Sequence, residues 1–485
     1  MKIALVMPPL DTGERGGNSI FRLIHDFARA RPYWNRFFFP ITSKIKFFDF
    51  DFYPNGLVQL GTILKKDGHE VKIFNFLFKD WYTDIINFSP QIVGISCSGG
   101  GNLIWVDRIS RKLKEDLNCI IFLGGPHVTL TPKETLMTTV ADYVFIGESD
   151  LIISQVADYI EGKTNFLPGK GIGYRKDGKI IITPLAIVDD LSKLPVPDHN
   201  LVDLNKYKSI GVELSRGCPN RCSFCYLSGY EKHLYWRSRP VESVLLEIEL
   251  LNKLTNLQDK RIYFVDANFS GNNEELKPIL KEIIKRKLKI SFWTAVDVNI
   301  DEETLLLMKK AGVSFIYTGI ETGCLSNFKM AKIKTIENIE NFINRVKKIG
   351  ISTTFQIMLL LPGESRKELF DTLRLCKKIS KVNFGSSERL MNLTFYPNIF
   401  RPVPNTPVTK RLVASGWHPP SSFVGWGYLY NKISNGKFEG CNFTKNIKKN
   451  DIILALLYIT ILNLRQILRK NIFSYGYKKI KKILL

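Results

Sequence analysis

Three cysteines crowd into eight residues of the stretch Ser215-Arg216-Gly217-Cys218-Pro219-Asn220-Arg221-Cys222-Ser223-Phe224-Cys225-Tyr226, with spacing Cys-x3-Cys-x2-Cys. Thiolates at this spacing are metal donors. A structural zinc site needs four closed ligands, and no fourth cysteine or histidine continues the rhythm. His233 stands eight residues beyond Cys225 in a stretch without ligand spacing. Ferredoxin-type runs likewise supply four cysteines. Three thiolates on a four-iron cluster leave one iron open. An open iron can bind and activate a small molecule, whereas a closed cluster chiefly passes electrons. Three further short motifs carry acids: Phe264-Val265-Asp266-Ala267-Asn268-Phe269, Gly319-Ile320-Glu321-Thr322-Gly323 and Leu361-Pro362-Gly363-Glu364. Carboxylates there can accept from hydroxyl or amino groups and suit a cationic ligand. Each acid could equally be a helix cap or a surface charge.

The elements that must position these residues alternate strand and helix. Strands are expected at Gly211–Leu214, Ile262–Val265, Ile290–Ala295, Phe315–Gly319, Thr353–Leu359 and about Leu390–Phe395. Helices are expected at Val241–Lys253, Glu274–Lys285, Glu302–Lys310, Ile336–Lys348 and Arg366–Ile379. Six such units predict a partial parallel (β/α)6 barrel over 208–400, with its active site at the carboxyl ends of the strands. The cysteine loop and all three acids fall at such ends.

Residues 1–165 repeat the alternation. Strands are expected at Ile3–Met7, Val71–Phe76, Ile92–Ser96, Ile120–Leu123 and Tyr143–Ile146, with helical patterns at Gly56–Lys66, Leu103–Glu115 and Leu151–Ile160. This predicts a doubly wound, Rossmann-like α/β domain. Its strands end in Ser96-Cys97-Ser98-Gly99-Gly100-Gly101, Gly124-Gly125-Pro126-His127 and Gly147-Glu148. Open α/β sheets bind ligands at that edge, although tight turns also demand glycine. No Gly-x-Gly-x-x-Gly fingerprint occurs, which disfavours a nicotinamide site. Residues 13–55, rich in aromatics and arginine, break the pattern and read as a lid over a flat ligand or a packing insertion. A hairpin at 171–183 and the proline-bearing stretch Leu194-Pro195-Val196-Pro197-Asp198 make 166–207 a linker.

With 485 residues the chain exceeds one ordinary domain. Eight cysteines, five of them scattered, do not form a disulfide scaffold. The first apolar run breaks at Pro8-Pro9 and is too short for a signal peptide. A reducing cytoplasm is expected, with membrane association as an alternative. The formal charge of +23 suits nucleic acid, an anionic membrane, or simply a solvated basic surface. No RNA-binding appendage is recognisable, so nucleic acid is disfavoured. The mostly helical extension 401–485 ends in a basic tail, with ten Lys or Arg and one acid from Lys445 to Leu485. Its apolar stretch 452–464 is shorter than the ~20 residues a membrane-spanning helix needs. It reads either as a helix lying on an anionic membrane or as one docked on the barrel.

The cysteine loop, with Phe224 just before its last cysteine, resembles that of the radical S-adenosylmethionine superfamily. The resemblance extends to Trp236-Arg237-Ser238-Arg239-Pro240 and to the strand ends of Asp266, Glu321 and Pro362-Gly363. It implies that Cys218, Cys222 and Cys225 bind a [4Fe-4S] cluster whose open iron chelates S-adenosylmethionine. An external one-electron reductant would then give a 5′-deoxyadenosyl radical, with Phe224, Asp266, Glu321, Pro362 and Gly363 lining the cofactor. The Gly-Gly-Glu motif of other branches is absent. The amino-terminal domain resembles the cobalamin-binding domain that precedes the barrel in one branch. That likeness implies cobalamin packed against Ser96, Gly99, Gly124, Gly125 and His127. The loop Pro8-Pro9-Leu10-Asp11-Thr12-Gly13 lacks the cobalt-ligating histidine of other cobalamin domains, as related radical enzymes often do. Asp67-Gly68-His69 nearly spells that motif but precedes a strand, so His69 reads as a turn residue. The branch implies methyl transfer to an unactivated carbon of a small-molecule or lipid substrate. The alternatives are cobalamin-associated cyclisation or rearrangement, and an electron-transfer or scaffold protein. Residues Phe395–Pro407 and Trp417–Tyr430 are expected to shape the substrate pocket.

Overall fold

The computed structural model describes residues 1–9 and 53–468, apart from 79, 233, 258–259, 325–326, 328–329, 332–334, 382–392, 437–442 and 445. The expected lid at 13–55, His233 and the basic residues from Arg469 onward lie wholly or mainly outside the described residues. The chain forms two compact units. The first holds the described residues within Met1–Ser19, Lys46–Ala267 and Arg401–Phe438. The second holds those within Asn268–Phe400 and Glu439–Leu485.

The first unit is built on a seven-stranded sheet: β1 (Lys2–Met7), β2 (Glu70–Asn75), β3 (Ile92–Ser96), β4 (Ile120–Gly124), β5 (Tyr143–Phe145), β6 (Ile172–Lys176) and β7 (Lys179–Ile182). Its spatial order is β2-β1-β3-β4-β5-β6-β7. The first five strands run parallel, and the β6–β7 hairpin adds antiparallel. Alternation along each strand sends side chains to two cores. Ala4, Val6, Val93, Ile95, Ile121 and Leu123 pack with α2 (Trp81–Phe88) and α3 (Asn102–Leu117). Ile3, Leu5, Ile92 and Phe122 pack with α1 (Asn55–Lys66) and, further along the sequence, α6 (Ile153–Ile160). Each fully buried Leu, Ile or Val contributes about 1.5–3 kcal/mol, so both faces must be covered. The sequence pattern missed α2, and it missed two short helices that begin at proline, α4 (Pro126–Leu130) and α5 (Pro132–Thr138). Proline suits the first helical turn because its missing N–H has no partner there.

The linker is not featureless. Asp190, Asp198 and Asp203 each accept the N–H two residues on and open a 3-10 turn. At its centre His199 is buried. Its Nδ1 meets the Tyr53 hydroxyl at 2.5 Å and its Nε2 meets Glu247 at 3.0 Å. After the linker come β8 (Ser209–Val212), β9 (Ser215–Arg216), β10 (Arg237–Ser238), α7 (Val241–Leu254) and β11 (Arg261–Phe264), with β8 and β11 parallel. The unit is completed by α12 (Pro407–Ala414) and α13 (Phe423–Ser434). Phe423, Trp426 and Tyr430 of α13 join the core beneath α3.

The second unit carries β12 (Phe292–Ala295), β13 (Val313–Glu321), β14 (Ser352–Leu359) and β15 (Leu393–Ile399), all parallel. α8 (Asn273–Lys285) precedes β12, and α9 (Glu302–Ala311), α10 (Ile336–Ile349) and α11 (Arg366–Ser380) run between the strands. Their starts are capped by Asn272, Asp301, Thr335 and Ser365. Such side chains satisfy N–H groups that a helix cannot bond itself. Gly312 and Gly350 end α9 and α10 in the left-handed conformation. The stretch 452–464 falls within α14 (Lys449–Leu468), which packs on α11 and β15. Ile452, Ile453, Leu456, Ile459 and Leu462 are buried. Asn463 accepts the Phe395 N–H at 2.8 Å and donates to the Phe395 carbonyl at 2.7 Å. Docking thus explains the apolar pattern. Among the described residues no helix is long and apolar enough to cross a membrane.

Candidate active site

The cysteine loop occupies 217–234, between β9 and β10, which pair antiparallel as its neck. At its start Gly217 has φ +85, and a Cβ there would lie 2.0 Å from the Tyr235 carbonyl oxygen. Only glycine fits. The Cys218 N–H donates to the Leu234 carbonyl at 3.0 Å, closing the loop. The Cys225 N–H donates to the Cys222 carbonyl at 3.0 Å, and the Ser228 hydroxyl donates to the Cys222 and Cys225 carbonyls at 2.8 and 2.7 Å. The far side is held too: the Val408 N–H, in the first turn of α12, donates to the Ser223 carbonyl at 3.1 Å.

Cys218, Cys222, Cys225 and Phe224 are all partly exposed. The scattered cysteines behave oppositely. Cys97, Cys119 and Cys376 are buried, and burial raises their thiol pKa, to about 11 for Cys119. Buried thiols resist ionisation, while metal ligands must be thiolates. Three accessible thiols on one short loop therefore fit an iron–sulfur cluster with one open iron.

Asp266, expected to line the cofactor, is held by protein donors. It is 3% exposed, and its carboxylate accepts the Ser215 N–H and hydroxyl and, at 3.4 Å, the Leu214 N–H. Burial pushes its pKa up to about 7, with the neighbouring charge of Glu213 adding and the hydrogen bonds opposing. It ties the base of the cysteine loop to the β11 end. Glu213, next to it, has a raised pKa through burial.

The other predicted acids lie in the second unit. Glu321 ends β13 with φ +58, beyond a register shift, and its side chain folds over Gly319. A Cβ on Gly319 would stand 2.0 Å from its carboxylate oxygen. A left-handed glutamate costs about 1–2 kcal/mol, and such outliers collect at functional sites. Pro362 and Gly363 form the turn after β14, with Leu360 and Gly363 both left-handed at φ +64 and +81. Glu364 stitches this turn. It is fully buried and accepts the Leu360 N–H at 2.8 Å. Its other oxygen has no partner among the described residues, and burial pushes its pKa up to about 7.

The glycine-bearing edge of the first unit is formed by Ser96, Gly99, Gly124, Gly125 and His127. In a 2-1-3-4-5 sheet the strand order reverses between β1 and β3, which opens a crevice at their carboxyl ends. The loops after β3 and β4 are sewn together there. The Cys97 N–H donates to the Gly124 carbonyl at 2.6 Å, and the His127 N–H donates to the Cys97 carbonyl at 3.2 Å. Gly125 has φ +113, and a Cβ would lie 2.8 Å from the Cys97 oxygen. Gly99 and Gly100 are left-handed as well. His127 lies behind this edge, 3% exposed, edge-on to Phe423, Trp426 and Tyr430. Burial lowers its pKa to about 3, so the ring stays neutral. Among the described residues, its Nε2 and the Oδ1 of buried Asn102 have no partner. A side-chain-poor edge with orphaned polar atoms fits a large flat ligand with polar appendages. Of the stretch Trp417–Tyr430, expected to shape the substrate pocket, Phe423, Trp426 and Tyr430 wall His127 in the core. His69, expected as an ordinary turn residue, follows the turn at Asp67-Gly68 and is buried just before β2. Its Nδ1 lies 3.8 Å from Glu161, whose carboxylate is already paired with Lys163 and the Met1 amino group.

Comparison with known proteins agrees with this geometry. The Radical SAM superfamily profile matches residues 212–376, and the B12 binding domain profile matches 46–157. An uncharacterized methyltransferase of Pyrococcus horikoshii is 29% identical over 342 residues, which cover 67% of this chain and 73% of that protein. The anaerobic magnesium-protoporphyrin IX monomethyl ester cyclase of Rubrivivax gelatinosus is 26% identical over 67% of this chain and 62% of its own length. Among solved structures, the radical S-adenosylmethionine methyltransferase TsrM from Kitasatospora setae aligns with a TM-score of 0.65 at 18% identity. That alignment covers 85% of this chain and 76% of TsrM, and it shows a shared fold.

Proposed function

The chain belongs to the cobalamin-binding-domain radical S-adenosylmethionine enzyme family, and we propose that it transfers a methyl group to an unactivated carbon. One observation carries the reading: a three-thiol loop stands in the same compact unit as a glycine-built, doubly wound strand edge. When bound, the cluster with S-adenosylmethionine supplies a 5′-deoxyadenosyl radical, and cobalamin carries the methyl group. We assign 1–165 to the corrin, 166–207 to a linker, 208–400 to radical generation and 401–485 to an extension.

The protein's own residues bind, orient and shield. Cys218, Cys222 and Cys225 would hold three irons. Asp266 fixes the base of their loop through Ser215. Phe224, Glu321, Pro362 and Gly363 would line S-adenosylmethionine, the strained Glu321 supplying a carboxylate for its cationic groups. Ser96, Gly99, Gly124 and Gly125 would take the corrin, with neutral His127 behind them as a polar partner. A small molecule, or a lipid, would be the methyl acceptor, and an external reductant would supply the electron. The polybasic residues after Leu468 would add attraction to an anionic membrane by charge alone, since the apolar face of α14 is occupied by β15.

The similarity to an ester cyclase keeps one second reading: radical cyclisation on the same cofactors. The test is anaerobic reconstitution with iron, sulfide and hydroxocobalamin, followed by turnover of methyl-deuterated S-adenosylmethionine with candidate acceptors. Deuterated methyl in the product is expected. Product formation without label would replace methyl transfer with cyclisation or rearrangement. Absence of 5′-deoxyadenosine would reject both readings.

A further inference from the structure

The neck of the cysteine loop has an unusual charge arrangement. Arg216 of β9 and Arg237 of β10 stand directly opposite each other in the antiparallel register. Like charges at such positions are destabilising. Both guanidiniums are nevertheless nearly enclosed, at 13% and 14% side-chain exposure. The turn after β5 resolves the conflict. Arg237 donates through Nη2 to Glu148 Oε1 at 2.8 Å and through Nη1 to Oε2 at 3.1 Å. Arg216 donates through Nη1 to Asp150 Oδ2 at 2.7 Å and through Nη2 to Oδ1 at 3.0 Å. These are two bidentate forks, the geometry in which arginine–carboxylate pairs are strongest and most directional.

The turn that offers the two carboxylates is itself fixed. Gly147 has φ +92, and a Cβ there would lie 2.2 Å from the Ala186 oxygen. Its N–H donates to the Thr129 hydroxyl at 3.0 Å, and Thr129 follows the Gly124–His127 edge by two residues. Glu148 also accepts the Val188 N–H at 2.7 Å, while the Val188 carbonyl accepts from Arg237. On the loop side, Arg216 Nε donates to Glu213 at 2.8 Å. A continuous set of directional bonds therefore runs from the glycine edge, through Thr129, Gly147, Glu148 and Asp150, to both strands of the neck.

We infer that Glu148 and Asp150 are positioning residues that clamp the neck of the cysteine loop. They thereby set where Cys218, Cys222 and Cys225 stand relative to the glycine edge at Gly124 and Gly125. The meaning of that spacing rests on the reading that the loop and the edge hold the two cofactors. The mechanical claim does not. The two forks act as one device: with either carboxylate neutralised, one guanidinium keeps only its lesser partner, Glu213 for Arg216 or the Val188 carbonyl for Arg237, and the neck opens, so a second removal adds little to a neck already open.

The test is hydrogen–deuterium exchange on the full chain with its cluster reconstituted, comparing Glu148→Gln, Asp150→Asn and the double variant with wild type. Amides of 217–234 are expected to exchange about tenfold faster in each single variant, and far less than a hundredfold faster in the double. Helix α7 should be unchanged as an internal reference. Arg237→Lys, which keeps the charge and loses the fork, should act in the same direction and covers the case in which a carboxylate variant fails to fold. Unchanged loop exchange in folded variants, fully additive effects, or uniform loss of protection across the unit would overturn the clamp. Retention of hydroxocobalamin by wild type, followed by its visible spectrum, is scored separately. Its failure would count against the methyl-transfer reading and leave the exchange result standing.

Discussion

The first unit holds two candidate sites made by different physics. The strand edge at Ser96–Gly101 and Gly124–His127 is shaped by what is missing: side chains are removed, and backbone hydrogen bonds hold what remains. The cysteine loop is shaped by what is added, namely three thiols inside and charged groups outside that fix its neck. A broad flat ligand needs bare surface, and sterics alone can provide it. A metal cluster needs donors at set places, which a loop cannot guarantee without anchors beyond itself. Substitution should therefore fail the two sites in different ways. The largest effect is expected at the loop. Cys222→Ala should lower 5′-deoxyadenosine formation by at least about a hundredfold, more than is usual for partners behind a metal's ligands. Iron content and cluster absorbance should fall with it while hydroxocobalamin binding persists. Cobalamin loss in the same variant would show that the two sites are not separable.

The opposite perturbation is next in size. Gly125→Ala puts a Cβ 2.8 Å from the Cys97 oxygen at φ +113. Backbone strain of this type costs about 1–3 kcal/mol, and the clash adds to it. Corrin binding should weaken and the melting temperature should fall, with cluster assembly retained. Gly99→Ala is the control: its φ is +98, but nothing lies closer than 3.8 Å to the added carbon. It should show the strain without the clash. Equal effects from the two would mean that conformation alone, and no close approach of backbone, shapes the edge.

The ease of reading the sequence follows the same contrast. Local patterns were legible: the 2.0 and 3.6 periodicities placed β1 to β5 and β8, β11, β12, β13, β14 and β15 within a few residues, and the cysteine spacing marked a candidate donor set. Long-range partnerships were not. Asp266 reads as a ligand-facing acid because its motif ends a strand, and nothing nearby reveals that one of its oxygens accepts from Ser215, 51 residues earlier. Nothing near Phe423 reveals that α13 will cover His127, almost 300 residues away in sequence. The apolar stretch at 452–464 was compatible with both docking and membrane contact, because burial against β15 and burial in lipid ask for the same residues. The clamp left a faint signal that could have been used: one arginine just before and one just after the cysteine loop, and two acids at the end of a strand in the preceding domain.

The smallest effect separates two buried carboxylates at strand ends, both with pKa pushed up to about 7 by burial. Asp266 receives donors from Ser215 and Leu214, so Asp266→Asn turns an acceptor into a donor against them and should destabilise at every pH. Glu364 receives the Leu360 N–H on one oxygen and leaves the other unpartnered. In the unfolded chain its pKa returns to about 4.3. Between that value and about 7 the folded state holds a proton that the unfolded state has lost, so this group's contribution to stability falls as pH rises. Below the window wild type and Glu364→Gln should be alike. Above it the variant avoids burying a charge and should be relatively more stable, by up to about 3 kcal/mol. Anaerobic urea unfolding at pH 4.5 and pH 8 measures the difference. A variant less stable than wild type at pH 8 would mean that the unpartnered oxygen of Glu364 has a charged or donating partner in the working protein. This turn would then belong with the side-chain-anchored loop and not with the backbone-built edge.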